Sequence, residues 1–168
     1  MPRRLIPFLV LVGLLTNFAA AEPRKDRCVI LISVDGLAAS YLDDPQAVMP
    51  TLRRRASQGA RAQGMLCSFP TVTWPNHTTL VTGVSPRRHG LIGNSWYDRE
   101  AGASVGCTQD AHVSLVSYAG PAKGGQSPSR LLVPALADEL RTQLPHPAKV
   151  VTFSMKERTA ITLAGRKA

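Results

Sequence analysis

Aromatic residues make up only 5% of this 168-residue chain, and acidic residues number 11 against 20 lysines and arginines. So few aromatics remove the stacking platforms that a nucleic-acid reader interleaves with its basic residues. The one tight basic run, Arg53-Arg54-Arg55, falls on an expected helix face and reads as solvated surface. The formal net charge of +9 therefore describes a field that favours anionic ligands or surfaces, without naming one. Cysteine is scarce as well. Cys28, Cys67 and Cys107 can close at most one disulfide and leave one thiol over. Cys28 opens an apolar stretch and reads as a small buried residue, which leaves Cys67 with Cys107 as the more plausible pair. The spacing of the three suits no zinc-site pattern.

Long apolar runs are missing except near the start. Ile6 to Leu15 is a ten-residue run, apolar apart from glycine and proline, too short to span a bilayer comfortably. Arg3 and Arg4 precede it and the small residues Ala19-Ala20-Ala21 follow, the layout of a secretory signal at 1–21. A buried helix or a retained anchor is the competing reading. Cleavage after Ala21 would leave 147 residues with a formal charge of +7, bound for the periplasm or the outside. That length suits a single domain over 22–168.

Against those absences stand several ordered signals. "CVILISVDG", Cys28 to Gly36, is a short apolar run rich in β-branched residues and reads as a central strand of a parallel sheet. "MPTLRRRASQG" reads as a capped helix between Pro50 and Gly59. "ARAQGMLCSF" is a second strand candidate, and "TWPNHTTLVTG" continues into a helix opened by Pro75. "GVSPRRHGLIGNSWYD" reads as loop, and "SYAGPAKGGQSPS" as a surface loop rich in glycine, proline and serine. "SRLLVPALADELRTQL" reads as an amphipathic helix from near Ser129, and "AKVVTFSM" as another buried strand. Strands alternating with helices imply an α/β domain whose mostly parallel sheet is flanked by helices.

In such sheets reactive groups gather at the carboxyl ends of strands. Asp35 ends the first strand candidate, Thr73 follows the second, and Lys156 and Arg158 follow the third. A carboxylate there is a hard ligand for a divalent cation, and equally a simple turn or cap residue. Threonine before Trp-Pro is an acceptable N-cap with Pro75 at the first helical position. The same geometry aims backbone N–H groups and the positive helix end at an anion beside the hydroxyl. That hydroxyl is a weak nucleophile and needs a base or a metal to take its proton. Asn94 alone would be a turn former. Lys156 and Arg158, two apart on an extended segment, would face the same way and could meet one phosphate, or form an ordinary surface pair. The histidines have quieter readings: His77 as a packing or hydrogen-bonding residue, His89 as a turn residue, His112 and His146 in loops.

Taken together, "VILISVDGL", "MPTLRRRASQGA", "FPTVTWPNHTTLVTGVSPRRHGLIGNSWYD" and "FSMKERTAITLAGRKA" resemble the alkaline phosphatase superfamily. The branch they resemble is the type I phosphodiesterase/nucleotide pyrophosphatase family. The sulfatase branch differs, since its motif needs cysteine or serine with arginine two residues past the proline. The resemblance implies Asp35 as a metal-ligand aspartate and Thr73 as a nucleophile that also contacts a metal and is transiently phosphorylated. It implies Asn94 as a donor to a phosphoryl oxygen, where a fixed neutral donor stabilises developing charge. The segment around Lys156 and Arg158 is similar to phosphate-irrepressible alkaline phosphatases, where this pair grips a monoester, whereas "TWPNH" looks more like the diesterases. The implied substrate is a phosphate ester or nucleotide. The family uses two zinc ions, whose remaining Asp and His ligands come after the Lys-x-Arg segment, and "LAGRKA" ends the sequence before them. A zinc ion takes about four ligands. The chain is thus expected to be the N-terminal part of a longer phosphoesterase. A non-catalytic anion-binding fragment is the alternative for the isolated chain.

Overall fold

The computed structural model describes residues 27–116, 118–121, 124–144 and 148–167. The expected secretory signal and His146 lie outside them. The chain divides into two units, Met1–Leu31 and Ile32–Ala168. Of the first, residues 27–31 are described, without regular secondary structure and with Val29 and Ile30 exposed.

The second unit begins with a 3-10 turn, Ala39–Leu42, and helix α1, Pro50–Gln58. Pro50 sits in the first turn of α1, where its missing N–H costs nothing, and Gly59 ends it, as the sequence implies. Helix α2, Thr73–Thr82, ends at Gly83, which adopts φ 68° and donates its N–H to the Thr79 carbonyl at 2.9 Å. The stretch from Gly83 to Asp98, expected as loop, contains a one-turn helix α3, Pro86–His89, and strand β1, Ser95–Asp98. Strand β1 pairs antiparallel with β2, Ala103–Gly106, with Trp96 opposite Val105. A second small ladder joins β3, Gln109–Asp110, to β4, Gly125–Gln126. Helix α4 spans Leu136–Gln143 and α5 spans Glu157–Ala164. The helix expected from near Ser129 starts only after Pro134, because that proline can neither donate within a helix nor let its predecessor turn helical.

Helix α2 is the hub, packing on α3, α4 and α5. Its Trp74 and Val81 join Leu91, Cys107, Leu131 and Ala135 in one core, with Trp96 and Leu163 partly buried against it. Gly90, at φ 87°, lets the end of α3 lie close against Leu132, since a Cβ there would be 2.7 Å from Leu132 Cγ. His89 is fully buried. Its Nδ1 accepts the Leu91 N–H at 3.2 Å and its Nε2 bonds the Thr79 hydroxyl at 3.1 Å. Burial holds this ring below the ordinary histidine range. The far edge is tied by buried Asp138, whose carboxylate accepts N–H groups from Ala135 at 2.8 Å, Arg166 at 3.0 Å and Lys167 at 2.8 Å.

Two expectations fail here. Cys67 and Cys107 are not joined: Cys107 lies in the closed core while Cys67 is exposed on the loop before α2, and all three cysteines are free. Burial pushes the Cys107 thiol up to about 12, which makes it inert. The three stretches read as strands or strand candidates of a mostly parallel sheet carry no ladder; among the described residues the only ladders are the two antiparallel pairs. Their apolar side chains stay exposed, Val34 at 57%, Leu66 at 101% and Phe153 at 92%. A strand exists only by exchanging hydrogen bonds with a neighbour, and none of the three lies hydrogen-bonded alongside another. Among the described residues no helix is long and apolar enough to cross a membrane.

Candidate active site

The approach to α2 is fixed by one side chain. Asn76 accepts the Ser68 N–H at 2.8 Å through Oδ1, while its Nδ2 lies within hydrogen-bond reach of the carbonyls of Ser68, Pro70 and Val72 at 3.2, 3.0 and 3.1 Å. This folds residues 68–72 against the first turn of the helix. The helix begins two residues earlier than the proline signal implies, so Val72 is the N-cap and Thr73 the first helical residue. Pro75 then falls third, still inside the turn whose N–H groups have no intrahelical acceptor. One of those N–H groups, that of Trp74, donates to Asn94 Oδ1 at 3.1 Å.

Thr73 Oγ1 donates to Asp35 Oδ2 at 2.9 Å. Asp35 sits with Gly36 in a turn, exposed to solvent. Its segment is braced by His77, which is buried one turn into α2. A carbonyl can only accept, so His77 Nδ1–H donates to the Thr73 carbonyl at 2.7 Å, leaving Nε2 to accept from the Ser33 hydroxyl at 3.1 Å in the neutral ring. Ser33, Asp35, Thr73, His77 and Cys67 line one cavity of about 340 Å³.

A second cavity, of about 270 Å³, is lined by Trp74, Asn94, Thr108, Gln126 and Arg158 among others. Since Asn94 turns its oxygen to Trp74 N–H, its Nδ2 is the end left over, and it has no partner among the described residues. The Arg158 guanidinium lies 4.1 Å from the centroid of the Trp74 ring. Lys156 does not accompany it. Helix α5 starts at Glu157, with Lys156 as its exposed N-cap, so the two basic residues do not share an extended segment and Lys156 lines neither cavity. The sequence does carry the reason, since Glu157 suits a helix first turn and the residues after it favour helix.

The structure therefore brings Asp35, Thr73, Asn94 and Arg158 around the first turn of α2 and leaves Lys156 outside. Asn76, Ser33 and Trp74, which position them, have no signal beyond their places within the quoted motifs. Among the described residues no group of three or more His, Cys, Asp or Glu side chains could hold a metal ion. The Asp35 and Thr73 oxygens are two donors where zinc takes about four, so the residues present do not by themselves fit a zinc site.

The model of the type I phosphodiesterase/nucleotide pyrophosphatase family matches residues 29–153. The chain belongs to this family. Alkaline phosphatase PafA of Elizabethkingia meningoseptica is 42% identical over 96 residues, which cover 57% of this chain and 18% of that protein. Alkaline phosphatase PhoV of Synechococcus elongatus is 36% identical over 117 residues, 69% of this chain and 21% of that protein. Mouse ectonucleotide pyrophosphatase/phosphodiesterase family member 3 is 41% identical over 88 residues, 48% of this chain and 10% of that protein. The crystal structure of PafA aligns with a TM-score of 0.50 at 38% identity, over 58% of this chain and 19% of that one. The fold is thus an incomplete part of an alkaline phosphatase-like domain, and the chain spans about a fifth of the two alkaline phosphatases it matches.

Proposed function

We propose that this family member contributes the nucleophile end of a phosphoesterase that hydrolyses phosphate monoesters or diesters through a phosphothreonine. The observation that carries the reading is the 2.9 Å hydrogen bond from Thr73 Oγ1 to Asp35, at the first residue of a helix whose Trp74 N–H holds Asn94. In the first half-reaction the Thr73 oxygen bonds to phosphorus, the bond to the leaving alcohol breaks, and that alcohol takes up a proton. Water then attacks phosphorus, breaks the bond to the Thr73 oxygen and restores the hydroxyl, releasing phosphate from a monoester or a phosphate monoester from a diester. Asp35 accepts the hydrogen bond of the hydroxyl that must lose its proton. Asn94 Nδ2 is a fixed donor for an oxygen gathering charge, and removal of such a donor costs about a hundredfold to a thousandfold in turnover. Arg158 adds a forked cation for the non-bridging oxygens.

Asp35 and Thr73 are the two oxygens this chain would offer a zinc ion, too few to hold one by themselves, and a bound metal there would ease loss of the hydroxyl proton. Secretion or delivery to the periplasm through residues 1–21 belongs to the same reading. Lys156, exposed at the N-cap of α5, serves as a surface charge. The lone Arg158 lowers the advantage of a dianionic monoester, so a diester is as acceptable as a monoester. For the 168 residues alone a second reading holds, anion binding without turnover, because two oxygens do not retain zinc.

The test is a graft of residues 27–167 in place of the matching stretch of PafA, assayed with an aryl phosphate and an aryl phosphodiester. The graft is expected to turn over, Thr73→Ser to keep measurable activity, and Thr73→Ala to lose it by about a thousandfold or more. Equal activity of the Ala and parent grafts would end the proposal.

A further inference from the structure

Trp74 meets two donor-bearing side chains that line the second cavity, Asn94 and Arg158. Its backbone N–H holds Asn94 Oδ1 at 3.1 Å, and its ring carries the Arg158 guanidinium at 4.1 Å. The ring itself is 4% exposed and sits in the core with Leu91, Cys107 and Leu131, so it cannot shift without disturbing that packing. Arg158 is half-buried and has no carboxylate ion pair among the described residues. A guanidinium held by an aromatic face keeps its N–H edges free for an anion, whereas one held by a carboxylate spends them on it. Asn94 is in the matching condition, with its acceptor end engaged and its donor end open.

We infer that Trp74 is a positioning residue that fixes two donors at once, the Asn94 amide through its backbone and the Arg158 guanidinium through its indole face, in the cavity next to Thr73. The inference rests on the phosphoesterase reading for the identity of the ligand, a phosphoryl group. It adds why the residue after the nucleophile is an aromatic one. Trp74 touches no reacting atom and acts through its two partners.

The test uses the full chain and inorganic phosphate at constant ionic strength, with binding followed by NMR of the Asn94 side-chain amide and the Arg158 Nε–H. The wild-type chain is expected to bind phosphate with shifts at both groups. Trp74→Leu should weaken binding roughly fivefold, Trp74→Phe should recover most of that because it keeps a ring face, and Arg158→Ala should weaken binding at least as much as Trp74→Leu. Adding Trp74→Leu to Arg158→Ala should then change little, since the ring acts through the guanidinium. Because Trp74 is in the core, Arg158→Lys gives a route that leaves the packing intact: it keeps the charge but not the planar face, and should lose binding to a similar degree. Additive losses in the double variant, full affinity in Arg158→Lys or Trp74→Leu, or no phosphate binding by the wild-type chain would each overturn the inference. Turnover by the Thr73 grafts is scored separately. Grafts that depend on Thr73 beside a chain whose Trp74 and Arg158 losses add would remove Trp74's role and leave the phosphoesterase reading standing.

Discussion

The core around α2 and the three unpaired apolar stretches are built from similar residues and end in opposite conditions. Leu91 and Leu131 are each 1% exposed, whereas Ile32 is 77% and Val151 79% exposed. The difference lies in what each kind of element needs. A helix satisfies its own backbone and has only to find a face to cover, which α3, α4 and α5 supply. A strand that is apolar on both faces needs hydrogen-bonded neighbours and two covering layers, all distant in sequence. The proposed nucleophile and its carboxylate partner sit on the boundary between the two regions: Thr73 opens the best-packed helix, and Asp35 ends an unpaired stretch.

Deletion within the core should give the largest stability effect. Leu91→Ala is expected to cost about 2–5 kcal/mol in thermal or denaturant unfolding, as for other fully buried leucines. A cost below that of a surface change would mean the core is not closed. Asp138 comes next. Asp138→Asn keeps the size but turns an amide donor towards three backbone N–H groups, an expected cost of about 1–3 kcal/mol at neutral pH. Burial alone would raise the Asp138 pKa, yet those N–H groups with Arg141 nearby hold it below its ordinary value. Its stabilising contribution is therefore present above the unfolded carboxylate range and is lost as pH falls through the lower folded value. His89, held low by burial, works in the same direction at higher pH: stability falls as pH drops below 6.5, where the unfolded ring takes up its proton first. Unfolding midpoints from pH 7 downwards should thus decline in wild type and decline less at the acid end in Asp138→Asn. The smallest effect belongs to the unpaired stretches. Phe153→Ser is expected to change stability by less than about 0.5 kcal/mol while reducing self-association in sedimentation measurements. A multi-kilocalorie loss there would show that the stretch is packed in solution.

The same contrast explains what could be read from the sequence. Local signals carried through: Pro50 and Gly59 bound α1, and Gly83 ends α2. The meeting of Asp35 with Thr73 was legible because both belong to recognisable motifs, even though 38 positions separate them. Pro134 outweighs the amphipathic pattern that begins near Ser129, and the helix starts past it. The apolar, β-branched runs within residues 28–36 and 148–155, and the weaker one within 60–69, report a preference for being covered, which a sequence carries whether or not a neighbour is at hand. The Lys156 and Arg158 pairing failed for a related reason: facing the same way requires both to be extended, and Glu157 begins a helix. Contacts such as Trp74 with Arg158 depend on α5 folding back onto α2, which no local pattern specifies.

The most direct measurement is chemical. The PafA graft carrying residues 27–167 would be mixed with an aryl phosphate, quenched in acid during turnover, digested and sequenced by mass spectrometry. The account predicts phosphate on the hydroxyl of Thr73, absent from Thr73→Ala. Turnover with phosphate on another side chain, or on none in an otherwise active graft, would contradict it.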